Sequence, residues 1–173
     1  MALPIVGSAH EQAAPQGFTW FIYSSSLSKR AFAEWAERHH YPVPDFSPAV
    51  PARLPDHRLT FDVQSGFWGG AVASLVAAPG HSVEGIALPL PGSSRTLVDH
   101  KEGALSGLYE PFPAKVVPLA GGPAIDALVF RASANKRLPA EATPSPSFVA
   151  ALREGAKDFG LSDAYQTELA KLG

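Results

Sequence analysis

The chain has 173 residues, enough for one domain with a sizeable core and too few for two comfortable ones. With 46% hydrophobic and 17% charged residues it reads as globular rather than disordered. A formal net charge of −2 argues against a nucleic-acid or anionic-membrane surface, and the absence of cysteine excludes disulfides, thiolate catalysis and cysteine metal sites.

Residues 1–17 lack a basic n-region and a long apolar core. They read as a flexible N-terminal tail rather than a signal peptide. No apolar run approaches the roughly 20 residues of a membrane span. Seventeen prolines and fifteen glycines imply short elements joined by turns.

Residues 18–23, Phe-Thr-Trp-Phe-Ile-Tyr, are aromatic, β-branched and uncharged, which predicts a buried strand. Ser24, Ser25 and Ser26 follow. Leu27, Ala31, Phe32, Trp35 and Ala36 then recur at helical spacing, with charged residues mostly on the other faces. A strand, a tight polar turn and a helix start in succession point backbone N–H groups and the positive end of a helix dipole at one spot, where an anion can sit. The same serines also suit plain helix capping.

Residues 41–55 carry five prolines and predict an extended surface connection. Residues 58–64 alternate Leu59, Phe61 and Val63 with polar partners, a half-buried strand. Residues 71–77 and 83–90 are apolar runs separated by Pro79-Gly80, a hairpin-like pair. Residues 95–101 fit a short helix with Ser94 as its cap. Residues 115–119 and 124–132 are further strands. Ser147 is placed to open a helix over 148–159 with Gly160 as its stop, and a last helix runs over about 162–172. The pattern predicts an α+β fold of about six strands, with one early helix, a short one mid-chain and two late helices.

The six histidines show no metal-site spacing. Glu102 is the carboxylate that stands out. It precedes Gly103, whose freedom allows a tight turn, and a small-residue stretch leads on to Tyr109.

Four pieces in the same order resemble the gamma-glutamylcyclotransferase family. Residues 21–27, Phe-Ile-Tyr-Ser-Ser-Ser-Leu, stand where that family has an aromatic strand ending in Tyr-Gly-Ser-Asn-Leu. Trp68-Gly69-Gly70-Ala71, Pro79-Gly80 and Val83-Glu84-Gly85 resemble its Gly-Gly strand, Pro-Gly turn and Val-x-Gly strand. Asp99-His100-Lys101-Glu102-Gly103 with Ser106-Gly107-Leu108-Tyr109 resembles its Asp-x-x-Glu-Gly and Ser-Gly-x-Tyr signature. Residues 144–148, 155–157, 160–161 and 165–166 resemble its C-terminal helical region. The resemblance covers residues 18–172.

It implies a small mixed β-barrel of about six strands with peripheral helices over residues 18–173. It further implies cyclisation of a γ-glutamyl amino acid or amine to 5-oxoproline, with Glu102 as general base and then acid. Substrate binding falls by resemblance to Trp20, Phe21, Ile22, Tyr23, Ser24, Ser25, Ser26, Tyr109 and Phe148. The family needs no metal or organic cofactor. It implies a cytoplasmic monomer or homodimer acting on a small γ-glutamyl substrate, with neither nucleic acid nor membrane as partner. Three positions depart from the family pattern: Ser24 replaces a glycine, Ser26 an asparagine and Phe148 a tyrosine. The loop ending of glutathione-specific relatives is absent. Two alternatives stand beside this reading: a non-catalytic binding or interaction module on the same fold, and a cyclase for a γ-glutamyl-protected metabolite.

Overall fold

The computed structural model describes residues 16–173. The predicted tail therefore lies, over residues 1–15, outside the described residues.

The first strand, β1 (Phe18–Ile22), alternates between two apolar environments. Trp20 and Ile22 pack with Leu27, Phe32 and Leu152 on the helical side. Phe21 and Tyr23 point the other way, among Leu54, Leu75, Val83, Val116 and Val129. Strands place successive side chains on opposite faces, so one uninterrupted apolar run serves both. The second cluster draws on all five strands and on no helix, so it fills the inside of the barrel.

The barrel is closed in the order β1-β3-β2-β4-β5. Its strands are β2 (Val50–Ser65), β3 (Gly70–Leu90), β4 (Tyr109–Pro118) and β5 (Ile125–Ala132) beside β1. The pairings are antiparallel except β1 with β5, which run parallel at Trp20 and Leu128. This is the predicted mixed barrel, with five strands rather than six.

The missing strand has a physical cause. The runs at 71–77 and 83–90 do not form a hairpin. Both belong to β3, and both pair with β2. At Pro79-Gly80 the register jumps from Pro55↔Ser82 to His57↔Ala77, which sets residues 78–81 opposite Asp56. Gly80 has φ of 81° and Asp56 has φ of 59°. The Gly80 N–H donates to Asp56 Oδ1 at 3.0 Å, so the two strands bend together instead of one turning back.

The predicted connection over 41–55 also gives up its last residues, which open β2. Proline lacks only the N–H, and the Pro51 carbonyl still accepts from the Leu119 N–H at 3.0 Å.

Among the described residues four helices surround the barrel: α1 (Lys29–Arg38), α2 (Arg95–Lys101), α3 (Pro146–Asp158) and α4 (Asp163–Ala170). Ser28 caps α1, Ser145 caps α3 and Ser162 caps α4 through their side chains. Two predicted caps are therefore corrected. Ser94 lies in helical backbone and makes no cap bond. Ser147 falls one residue inside α3, after Pro146, because proline suits the first helical position and puts the cap at Ser145. Among the described residues no helix is long and apolar enough to cross a membrane.

Candidate functional site

β1 ends in a 3-10 turn, Ser25–Leu27, that leads through Ser28 into α1. The Leu27 and Ser28 N–H groups bond back to the Ser24 and Ser25 carbonyls at 3.0 Å each. The N–H groups of Ser25 and Ser26 open the turn and have no acceptor within it. Ser24 has φ of −117°, an extended conformation open to any residue. Serine in place of glycine therefore carries no backbone penalty here.

A helix far along the chain holds the turn in place. A β-carbon on Gly155, in α3, would collide with the Leu27 side chain and backbone. Glycine is thus what lets α3 lie directly against the turn. The Ser28 hydroxyl accepts from Ala31 N–H at 3.1 Å and donates to Glu154 of α3 at 3.2 Å.

Glu102 follows the last residue of α2, and Gly103 takes the left-handed conformation with φ of 74°. The chain folds back at once, with Leu108 N–H bonded to the Gly103 carbonyl at 3.1 Å. This reversal carries the Glu102 carboxyl toward β1, where the Trp20 Nε1–H donates to Oε1 at 3.1 Å. Burial pushes the Glu102 carboxyl up from 4.5 to about 7, against the opposing pull of the Lys101 charge and the Trp20 hydrogen bond. A carboxyl so placed can both take and return a proton near neutral pH.

Glu102 and the serine turn line one cavity of about 590 Å³. Of the predicted binding residues, Ser24, Ser25, Ser26, Tyr109 and Phe148 also line it. Tyr109 donates its hydroxyl to the Ala73 carbonyl at 2.7 Å, and burial raises its pKa well above the usual value, so it stays protonated. Phe148 is buried edge-on against Trp68 and Phe61.

Trp20, Phe21, Ile22 and Tyr23 are not on the cavity wall. All four are buried. Trp20 touches the site through Glu102, and the Tyr23 hydroxyl donates to the Phe130 carbonyl at 2.5 Å.

The cavity also has walls the sequence reading passed over. Ala31, Glu34, Trp35 and Arg38 line it from α1, and Lys101 lines it beside Glu102. Their spacing, i, i+3, i+4 and i+7, is one helical stripe, so the signal was present. A mixed apolar and charged stripe resembles a solvated face when no cavity is known. Among the described residues no group of three or more His, Cys, Asp or Glu is placed to hold a metal ion.

Comparison with known proteins gives consistent results. The AIG2-like family matches residues 82–169, half of the chain. A gamma-glutamylcyclotransferase of Mus musculus is 30% identical over 156 residues, covering 88% of this chain and 77% of that protein. One of Bos taurus is 29% identical over 158 residues, covering 89% and 78%. A solved gamma-glutamyl cyclotransferase structure superposes with a TM-score of 0.74 at 27% identity, over 91% of this chain and 89% of that one.

Proposed function

The chain belongs to the AIG2-like family, and from that membership we propose that it is a gamma-glutamylcyclotransferase. It converts a γ-glutamyl amino acid or amine to 5-oxoproline and the free amine. The observation that carries this reading is Glu102, a carboxyl raised to about 7, on the wall of the cavity that the serine turn also lines.

The substrate's α-carboxylate sits at the N–H groups of the Ser24–Ser26 turn. Anchored there, the substrate folds so that its own amine lies near its γ-carbonyl, and proximity supplies several kcal/mol of the barrier. The amine is an ammonium at neutral pH. Glu102, ionised, takes its proton. The freed nitrogen attacks the γ-carbonyl carbon and forms the C–N bond of a five-membered lactam. Attack leaves the ring nitrogen with one proton more than the lactam keeps. Protonated Glu102 gives its proton to the leaving nitrogen, and the bond from the carbon to that nitrogen breaks. The ring nitrogen's extra proton passes to the released amine, which departs as an ammonium. No water is consumed, no electron pair leaves the system, and Glu102 ends as it began. The Trp20 N–H fixes the orientation of the carboxylate throughout. The reading includes a cytoplasmic monomer or homodimer, working on a small molecule without a cofactor.

The test is 5-oxoproline release from a panel of γ-glutamyl amino acids and amines, by wild type and by Glu102→Gln. Release should rise with pH around a midpoint near 7. It should fall by about a hundredfold or more in the variant. Folded wild type that releases no 5-oxoproline from any member, or a variant that keeps its rate, would overturn the proposal.

A further inference from the structure

The cavity carries five charged side chains: Arg30, Glu34, Arg38, Lys101 and Glu102. Arg30 is neutralised, by Glu34 at 3.2 Å and Glu154 at 3.1 Å. Arg38 and Lys101 are in no ion pair with any described residue. Both are held by aromatic rings instead. The Arg38 guanidinium lies 4.8 Å from the Phe67 ring centroid. Lys101 Nζ lies 5.5 Å from Trp35 and 5.8 Å from Phe32. Trp35 is itself stacked on His39 at 4.6 Å and on Tyr41 at 5.4 Å, so the ring beside Lys101 is fixed. Two cations thus stand on one cavity wall, on a prepared aromatic bed; Lys101 feels the charge of neighbouring Glu102, and Arg38 has no carboxylate within ion-pair distance among the described residues.

Their position relative to the serine turn indicates what they meet. The turn precedes the N-terminus of α1, and Arg38 is the last residue of that helix. Ten residues at about 1.5 Å each separate Ser28 from Arg38 by about 15 Å along the axis. The Arg38 guanidinium, over the Phe67 ring, lines the same cavity as the serine turn, at the other end of α1. Lys101 adjoins Glu102, where the bond to the leaving nitrogen breaks. A substrate whose γ-glutamyl end occupies the turn has its leaving half between Lys101 and Arg38.

We propose that Arg38 and Lys101 are specificity-determining residues for the leaving group, and that they select γ-glutamyl conjugates of acidic amino acids. The two carboxylates of such a leaving group balance the two cations, one near the reacting centre and one nearer the C-terminal end of α1. A neutral side chain leaves one cation unmatched, and a basic one is repelled. This rests on the cyclotransferase reading and adds the chemistry of the amine released.

The test compares γ-glutamyl-glutamate with γ-glutamyl-glutamine, which differ by one charge at nearly equal size. Wild type should favour the first in kcat/KM by about tenfold at low salt, the scale of one charge-assisted hydrogen bond partly screened by water. The ratio should shrink as salt is added. In Arg38→Gln, which loses the cation opposite the side-chain carboxylate, it should approach one. Lys101→Gln, which loses the cation opposite the α-carboxylate that both substrates share, should instead lower kcat/KM for both and keep most of the ratio. Equal kcat/KM for the two substrates in wild type would overturn the inference while leaving the cyclotransferase reading intact. So would a ratio that Arg38→Gln preserves. Calorimetric binding of the two dipeptides to Glu102→Gln reads the same discrimination without turnover. Absence of 5-oxoproline from every γ-glutamyl substrate of the panel would defeat the parent reading; release from other members but not from γ-glutamyl-glutamate, or equal binding of the two dipeptides, would defeat this one separately.

Discussion

Replacing Glu102 with glutamine should stabilise the protein, by an amount that grows with pH. Burial raises the Glu102 carboxyl to about 7 from the ordinary 4.5. Between those values the folded protein holds a proton that the unfolded chain has released, so wild-type stability falls as pH rises through this window. The gap, at about 1.4 kcal/mol per pH unit, amounts to about 3 kcal/mol above pH 8. Contact of Glu102 with water in the cavity trims this to about 2 kcal/mol. Below pH 4.5 the protonated acid and the amide are both neutral and nearly equal in shape, and the Trp20 N–H finds an oxygen in either. The two proteins should then differ by no more than about 0.5 kcal/mol. Urea unfolding at pH 4.5, 6, 7 and 8.5, followed by tryptophan fluorescence, measures the difference directly. A constant offset at every pH would refute the reasoning. A variant less stable than wild type at pH 8.5 would show that the ionised carboxylate is well solvated and that its pKa is ordinary.

Trp20→Phe removes the one N–H that favours the ionised form of Glu102, so the midpoint of the kcat/KM profile should move up by roughly half a pH unit. Gly155→Ala drives a methyl group into Leu27 and should lower the unfolding free energy by about 3 kcal/mol or more, read as a drop in the urea midpoint. Ser28→Ala deletes the cap bonded to the Ala31 N–H and should cost about 1 kcal/mol. Ser94→Ala, at a position with no cap bond, should change thermal stability by only a few tenths of a kcal/mol.

Features confined to neighbours in the chain were legible in the sequence. The aromatic strand, the serine turn and α1 follow one another within residues 18–38, each with its own period or its own turn chemistry. Glu102 stood out because Gly103 beside it could take a positive φ, and it does. What stayed hidden depended on distant partners. Pro79-Gly80 has the composition of a hairpin turn, and only β2, bent at Asp56, keeps β3 running through it. Ser147 reads as the cap from composition, and the cap falls instead to Ser145 because Pro146 takes the first helical position and the Ser145 hydroxyl donates to the Trp68 carbonyl at 2.6 Å. The raised carboxyl of Glu102 could not be read either, because burial and a bond to a residue 82 positions earlier set it. Trp35, Arg38 and Lys101 were visible as a helix stripe and a neighbouring lysine, but their shared cavity exists only once the barrel has closed.

The close approach of Gly155 to Leu27 also bears on the order in which the chain is made. The serine turn and Glu102 are both synthesised before residue 103, and β4 and β5 follow by residue 132. A nascent chain of that length already contains every strand of the barrel. It still lacks α3, which packs against the turn at Leu27 and bonds Ser28 through Glu154. The serine turn therefore takes its final shape only after residue 155 has emerged, although it lies near the first residues of the barrel. A ribosome-bound chain halted between residues 132 and 145 should contain its strands and Glu102 without the settled turn that faces the same cavity.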